Sequence, residues 1–336
     1  MRAMLLRTIG PMDENPEPLE LADVSTPQPG PGEVRIQVSV CGVCHTELDE
    51  IEGRAAPSVL PVIPGHEAIG VIESVGQGVT RLQPGDRVGV GWIHDSDGSA
   101  TENISPAFRA TGRDANGGYA EFMVVGERYA YPIPDVFSDE EAAPLLCAGG
   151  VGYRALSLCE LNDGEALGLT GFGGSGHLVL QLARHCFPAS PVYVFARSEH
   201  ERAFALQLGA AWAGDTEDAP PTAPAAIIDT TPAWRPVLAG LRCLAPGGRL
   251  VINAIRKEST DRALLAELDY RTQLWMEKTL KTVANVTARD IAEFLRIAAE
   301  IPIKPEVQTL PLVEANRALQ ALRQGHIRGA YVLKIN

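Results

Sequence analysis

The stretch Ala166-Leu167-Gly168-Leu169-Thr170-Gly171-Phe172-Gly173-Gly174-Ser175-Gly176-His177 decides the fold. Ala166–Thr170 reads as a buried strand, the glycines as a tight turn, and His177–His185 as the helix the turn opens. The spacing suits a dinucleotide. The first glycine makes the turn, the second lets backbone approach a pyrophosphate, and the third lets helix and strand pack closely, while free N–H groups at the helix start hold the negative charge. Gly171, Gly173, Gly174 and Gly176 are therefore the candidate cofactor-binding glycines. The run Ala166–Ala183 is uncharged for 18 residues, near the ~20 needed to span a bilayer. Its glycines, Thr170, Ser175, His177 and Gln181 mark it instead as strand, turn and helix.

Working outward, the strands Val192–Ala196, Ala226–Asp229 and Arg249–Asn253 alternate with Ala/Leu-rich helical stretches. Such alternation predicts βαβ units and a doubly wound parallel sheet, hence an α/β fold class. A cofactor with a free ribose 2′-OH calls for Asp or Glu where Val192–Ala196 ends. Here the strand runs into Arg197 and Ser198, whose donors suit a 2′-phosphate, so NADP(H) is favoured over NAD(H). The alternative is that Arg197 is a solvated helix-entry residue and Glu199 serves the ribose.

Before Ala142 the texture differs. Val34-Arg35-Ile36-Gln37-Val38-Ser39-Val40 is apolar at every second residue, and turn signals recur at Pro29-Gly30, Pro31-Gly32, Pro84-Gly85 and Asn116-Gly117. This half reads as a β-rich, barrel-like domain. The helical pattern breaks again near Ile301-Pro302-Ile303-Lys304-Pro305, and the tail Val307–Asn336, ending in a strand Ala330–Ile335, is too short for a domain. It is expected to pack back on the first half. The expected division is 1–150 with 288–336 for the β-rich domain and 151–287 for the dinucleotide domain.

The 336 residues allow a large core, and 45% apolar with 21% charged residues is ordinary globular composition. A net charge of −13 makes nucleic acid and anionic membrane surfaces poor partners. Six cysteines are too few for a disulfide scaffold, and Arg7 interrupts any signal-peptide apolar stretch, so a reducing cytoplasm is the expected compartment.

Two segments of the β-rich half and one at its end carry candidate metal ligands: Cys41-Gly-Val-Cys44-His45-Thr46-Glu47, Gly65-His66-Glu67, and Cys147 in Pro144-Leu-Leu-Cys-Ala-Gly-Gly150. Thiolate and imidazole donors suit Zn²⁺, and three protein ligands would leave a fourth position for water or substrate. Cys41-x-x-Cys44-His45 also matches a c-type haem attachment, and Cys41-x-x-Cys44 a thiol redox pair. Haem attachment wants an exported protein, and a redox pair wants a small βαβ context.

With these residues, Gly65-His66-Glu67-x2-Gly70-x5-Gly76, Pro84-Gly85-Asp86-Arg87-Val88 and Gly117-Gly118-Tyr119-Ala120-Glu121, the chain resembles the zinc-dependent alcohol dehydrogenases of the medium-chain dehydrogenase/reductase superfamily over essentially its full length. The resemblance implies a GroES-like β-barrel catalytic domain around an inserted Rossmann domain. It implies a hydride exchanged between a small primary or secondary alcohol and its aldehyde or ketone, and a nicotinamide. By it Cys44, His66 and Cys147 look like catalytic zinc ligands, Glu67 like a carboxylate exchanging with zinc-bound water, and Thr46 like the proton-relaying hydroxyl. His45 falls where relatives contact the cofactor diphosphate, and Trp92 where they line the substrate pocket. Relatives pair through the edge strand of the cofactor domain, here Leu280–Val286, so a homodimer or homotetramer is expected.

Three departures stand out. Glu47 replaces the usual Asp that orients the zinc histidine, and Asp49 and Glu52 replace relay histidines, so proton exit is expected through Glu52 or water. The lobe around Asp97–Ser105 has no cysteine, which excludes a four-cysteine structural zinc and leaves one catalytic zinc per chain. Asp95, Asp97 and Glu102 read there as a solvated acidic loop, the alternative being a chelate for a hard cation. Cys159, Cys186 and Cys243 read as core residues, Cys41 as a buried neighbour of the site, His94 and His177 as a lobe and a first-turn residue, and His185, His200 and His326 as surface positions. Competing functions are a polyol dehydrogenase, a zinc-free enal or quinone reductase, and a cofactor-binding protein without turnover. The last two predict loss of a ligand or of Thr46, and none is lost.

Overall fold

The computed structural model describes residues 1–301, 303–325 and 329–335. Pro302 of the pattern break, His326 of the expected surface histidines and Asn336 at the end of the tail lie outside them. The chain divides into two compact units, Met1–Cys147 with Asn285–Asn336, and Ala148–Ala284.

The second unit holds a six-stranded, wholly parallel sheet in the spatial order Trp212–Gly214, Val192–Phe195, Leu167–Thr170, Ala226–Asp229, Arg249–Ile252, Thr279–Thr282. In chain order this is 3-2-1-4-5-6, the doubly wound arrangement whose switch point lies between Leu167–Thr170 and Ala226–Asp229. The four central strands are apolar along nearly their whole length because helices cover both faces of such a sheet. The edge strand ends at Thr282 and does not run to Val286. Thr287 caps the helix Ala288–Glu300 through its hydroxyl and Asp290, so the chain has already turned toward that helix.

In the first unit a seven-stranded sheet is organised around Glu33–Val43. That strand pairs antiparallel with Ala68–Val75, Phe122–Gly126 and Ala330–Lys334. Its first half alternates as the period-two pattern requires, with Val34, Ile36, Val38 and Val40 inward. It extends beyond Val40 because Cys41–Val43 is bonded on one side by Tyr331–Leu333 and meets Ala68 on the other, burying both faces. The C-terminal strand thus packs on the first unit. Gly42 sits in this doubly covered stretch for a steric reason: a Cβ there would stand 1.9 Å from a Glu67 carboxylate oxygen.

The cysteine-free lobe is not a solvated acidic loop throughout. Glu102 is 1% exposed and accepts hydrogen bonds from the Tyr129 hydroxyl at 3.0 Å and the Ala288 N–H at 2.8 Å. Arg128 lies 3.5 Å from the same carboxylate and donates to the Gly98 carbonyl. A side chain with that many donors is satisfied inside, which loop composition alone does not reveal. Asp95 and Asp97 are exposed, Asp97 accepting from Ser99 N–H and the Ser105 hydroxyl.

Candidate metal and cofactor sites

The strand Glu33–Val43 delivers the chain to Cys44, which begins the helix His45–Ile51. Glu47, three residues on, accepts from the Cys44 N–H at 2.8 Å through one oxygen and holds His66 Nδ1 at 2.6 Å through the other. One carboxylate therefore fixes both the helix start and the histidine ring. The extra methylene relative to Asp leaves this contact intact.

The ligand atoms of Cys44, His66, Glu67 and Cys147 all lie within 4.8 Å of one another. Three features fit a zinc ion. The sulfurs of Cys44 and Cys147 stand 3.7 Å apart, far beyond a disulfide and close to the ~3.8 Å edge of a tetrahedron with ~2.3 Å Zn–S arms. His66 is 1% exposed, and with Nδ1 on Glu47 its Nε2 is buried with no hydrogen-bond partner among the described residues. Two thiols and an imidazole are the donor types zinc takes. Cys41 is buried outside the group.

The electrostatics of the four groups favour a cation. The hydrogen bond from Cys147 holds the Cys44 thiol well below its usual range against burial, with His66 assisting, and leaves Cys147 raised. Burial, then the charge on Cys44, pushes the Glu67 carboxyl well up. Burial also presses His66 downward, but the Glu47 carboxylate overrides it and the ring is raised.

Thr46 is buried with its hydroxyl 3.6 Å from Cys44 Sγ, so the structure brings it to the cluster. His45 is exposed at the first position of the helix. Trp92 is half-buried, its ring centroid 6.2 Å from that of His66, 5.5 Å from Phe108 and 5.4 Å from the Arg113 guanidinium. Glu52 is not brought to the cluster. Its carboxylate is taken by Arg54 at 2.7 Å, Arg323 at 3.3 Å and the Met12 N–H, an arrangement against an outward proton step there. The acid on the other side of Ile51 is the one that turns inward: Glu50 is 1% exposed and accepts from the Trp92 indole at 3.4 Å. Helical phase was the available signal, since Glu47 and Glu50 are three apart and share a face.

In the second unit Gly171 has φ +79°, and a Cβ there would meet Thr230 Oγ1 at 2.8 Å and Thr231 Cγ2 at 2.9 Å. Only glycine fits this turn, which lies at the switch point of the sheet. The helix Gly176–Cys186 follows, with Gly176 packed against the Gly171 carbonyl. Asp229, fully buried, organises the floor by accepting from Thr170 Oγ1 at 2.5 Å and Thr231 Oγ1 at 2.8 Å and by pairing with Lys257. Lys257 also donates to the carbonyls of Thr231 and Ala233.

Arg197 and Ser198 lie exposed after Val192–Phe195, and the Ser198 hydroxyl caps the helix Glu199–Gln207 by accepting from Glu201 N–H at 3.5 Å. Glu199 is also exposed. Arg202, one turn into that helix, is held on the backbone carbonyls of Ala196 and Arg197. His177 stands in the first turn of Gly176–Cys186, buried, its Nδ1 3.0 Å from the Gly173 carbonyl, and His94 is half-buried in the lobe, not at the surface. His185 and His200 are exposed; Cys159 is buried and Cys186 and Cys243 are half-buried.

Residues 30–135 match the family model of the alcohol dehydrogenase GroES-like domain. The chain is 40% identical, over 100% of its length and 97% of the relative's, to a probable alcohol dehydrogenase AdhA of Mycobacterium tuberculosis. It is 32% identical, over 95% and 97%, to an alcohol dehydrogenase of Geobacillus stearothermophilus. Among solved structures it is similar to CAD from Helicobacter pylori complexed with NADP(H), with a TM-score of 0.83, 25% identity and 99% of each chain covered.

Proposed function

The chain belongs to the zinc-type alcohol dehydrogenases of the medium-chain dehydrogenase/reductase superfamily, and from that premise we propose that it works with one zinc ion, held by Cys44, His66 and Cys147, and prefers NADP(H). Its reaction is alcohol and aldehyde or ketone oxidoreduction with a nicotinamide cofactor. The observation that carries the metal assignment is the His66 Nε2, buried without a partner among two thiols and a carboxyl.

When bound, zinc supplies a Lewis acid that favours ionisation of the alcohol. Glu47 sets the tautomer of His66, keeping Nδ1 occupied and Nε2 free to ligate. Thr46 takes the alcohol proton on its hydroxyl and passes it on, a neutral carrier that keeps no charge in a buried site. Glu67 offers a carboxylate oxygen to the same point as the thiols, in the role of exchanging with water. Trp92 walls the substrate, and His45 donates toward the cofactor diphosphate.

Gly171, Gly173, Gly174 and Gly176 cradle the diphosphate, and Arg197, with Ser198, both exposed after the strand, reads the 2′-phosphate. Exposed donors at the end of the strand suit a phosphate better than a bare hydroxyl.

We place the enzyme in a reducing cytoplasm, where Cys44 and Cys147 stay thiols. No helix among the described residues is long and apolar enough to cross a membrane. We also propose a homodimer formed at the edge strand Thr279–Thr282, whose residues are all exposed beside exposed Tyr270, Trp275 and Met276.

The test is a kcat/KM panel of primary, secondary and benzylic alcohols and their carbonyl products with NADP(H) and NAD(H), on protein whose zinc has been quantified. Turnover favouring NADP(H) at one zinc per chain is expected. Turnover unaffected by complete zinc removal overturns the metal assignment.

A further inference from the structure

Glu50 is a carboxyl that the proposed chemistry does not use, yet it is buried beside the metal cluster. It lies on the helix that carries Thr46 and Glu47, is 1% exposed, and accepts a hydrogen bond from the Trp92 indole on Oε1 at 3.4 Å. Its Oε2 is buried and has no hydrogen-bond partner among the described residues. Trp92 in turn stands 6.2 Å from the His66 ring, so the carboxyl is one aromatic side chain from a zinc ligand. An unpaired buried carboxyl oxygen costs more than a buried methyl, and a functional explanation of that cost is a ligand that supplies the missing hydrogen bond.

We propose that Glu50 is a specificity-determining residue that selects alcohols and aldehydes carrying a second hydroxyl group, which bonds to Glu50 Oε2 while the reacting oxygen occupies the metal site. This rests on the dehydrogenase reading above. The chemistry around Glu50 narrows the class. Burial, with the Glu47 charge adding to it, pushes the Glu50 carboxyl well up, and the same Glu47 charge disfavours an anionic substrate. Arg113, which caps the Trp92 ring at 5.4 Å and acts electrostatically on Glu50, disfavours an ammonium. A hydroxyl is neutral and can donate or accept, so it satisfies the free oxygen whether or not the carboxyl holds a proton. Trp92 and Phe108 supply the apolar remainder of the wall.

The experiment compares matched alcohols on the zinc-loaded enzyme: benzyl alcohol against its hydroxybenzyl isomers, and 1-butanol against 1,3- and 1,4-butanediol. At least one hydroxylated compound is expected to exceed its parent in kcat/KM by about tenfold or more, because a site built around a substrate hydroxyl leaves its own polar group unpaired when that hydroxyl is missing. Glu50→Leu is expected to bring the pair within about twofold, and Glu50→Gln, which keeps a polar group and the Trp92 contact, to retain most of the discrimination. Zinc content and melting temperature are measured for both variants. The wild-type comparison decides the matter even if Glu50→Leu does not fold. Turnover of the parents without discrimination, or discrimination that survives Glu50→Leu, overturns this proposal alone; no turnover of any alcohol overturns the dehydrogenase reading and this proposal with it.

Discussion

Cys44 carries more of the site than any other residue: its thiol is a candidate ligand, its N–H is fixed by Glu47, and its sulfur faces both Cys147 and Thr46. Replacing it with serine keeps the size and removes the soft donor. Cys44→Ser is expected to abolish benzyl alcohol oxidation and lower zinc content while NADPH binding, followed by fluorescence titration, persists. Arg197 supports a second test. Arg197→Asp adds a carboxylate where a 2′-hydroxyl would be held and a 2′-phosphate repelled. The ratio of kcat/KM for NADP to that for NAD should fall by about tenfold or more, the worth of one charge-assisted bond; an unchanged ratio means the phosphate is read elsewhere. Tyr129 gives a pH signature. Burial, then the Glu102 charge, raises its phenol to about 12, above the usual ~10. From about pH 10 upward the unfolded chain loses this proton first, so the phenol's contribution to stability falls as pH rises and is spent once pH passes about 12. Urea midpoints of Tyr129→Phe against the parent from pH 8 to 11.5 should converge at the alkaline end.

At the scale of elements, two polar hubs hold their surroundings through side chains. Glu102 ties the cysteine-free lobe to the start of the helix Ala288–Glu300 and to Tyr129. Asp229 and Lys257 tie the loop after Ala226–Asp229 to the floor beneath Gly171. Removing Lys257 leaves Asp229 as a buried carboxylate without its cation. Lys257→Met is accordingly expected to raise the Kd for NADPH by about tenfold through a loosened turn, with zinc content unchanged. Neither hub is announced by sequence spacing, since their members lie far apart in the chain. Helix packing is plainer. Phe294 is fully buried on the helix Ala288–Glu300, and Phe294→Ala should cost about 3–5 kcal/mol in urea unfolding through the cavity it leaves.

Over the whole molecule the six cysteines suggest two zinc sites, because two catalytic and four structural ligands would use all six. Among the described residues, Cys44 and Cys147 are the cysteines that join the metal-competent cluster, which supports the proposal of one site. Metal analysis should find close to one zinc per chain, and a chelator should remove it together with activity. The periodicity of Val34–Val40, the glycine turn at Gly171 and the β-strand alternation were enough to predict both sheets, because hydrophobic period and turn chemistry are local properties of the chain. The candidate ligands were legible for a similar reason, as zinc accepts few donor types and the residues that carry them are scarce. Tertiary structure alone decided that Glu52 is taken by Arg54 and Arg323, that Glu102 is buried, and that Arg202 is held on the carbonyls of Ala196 and Arg197. Whether a charged side chain meets water, an arginine or a buried ring depends on which distant segments pack against it, and that is settled by the folded chain as a whole and not by its neighbours in sequence.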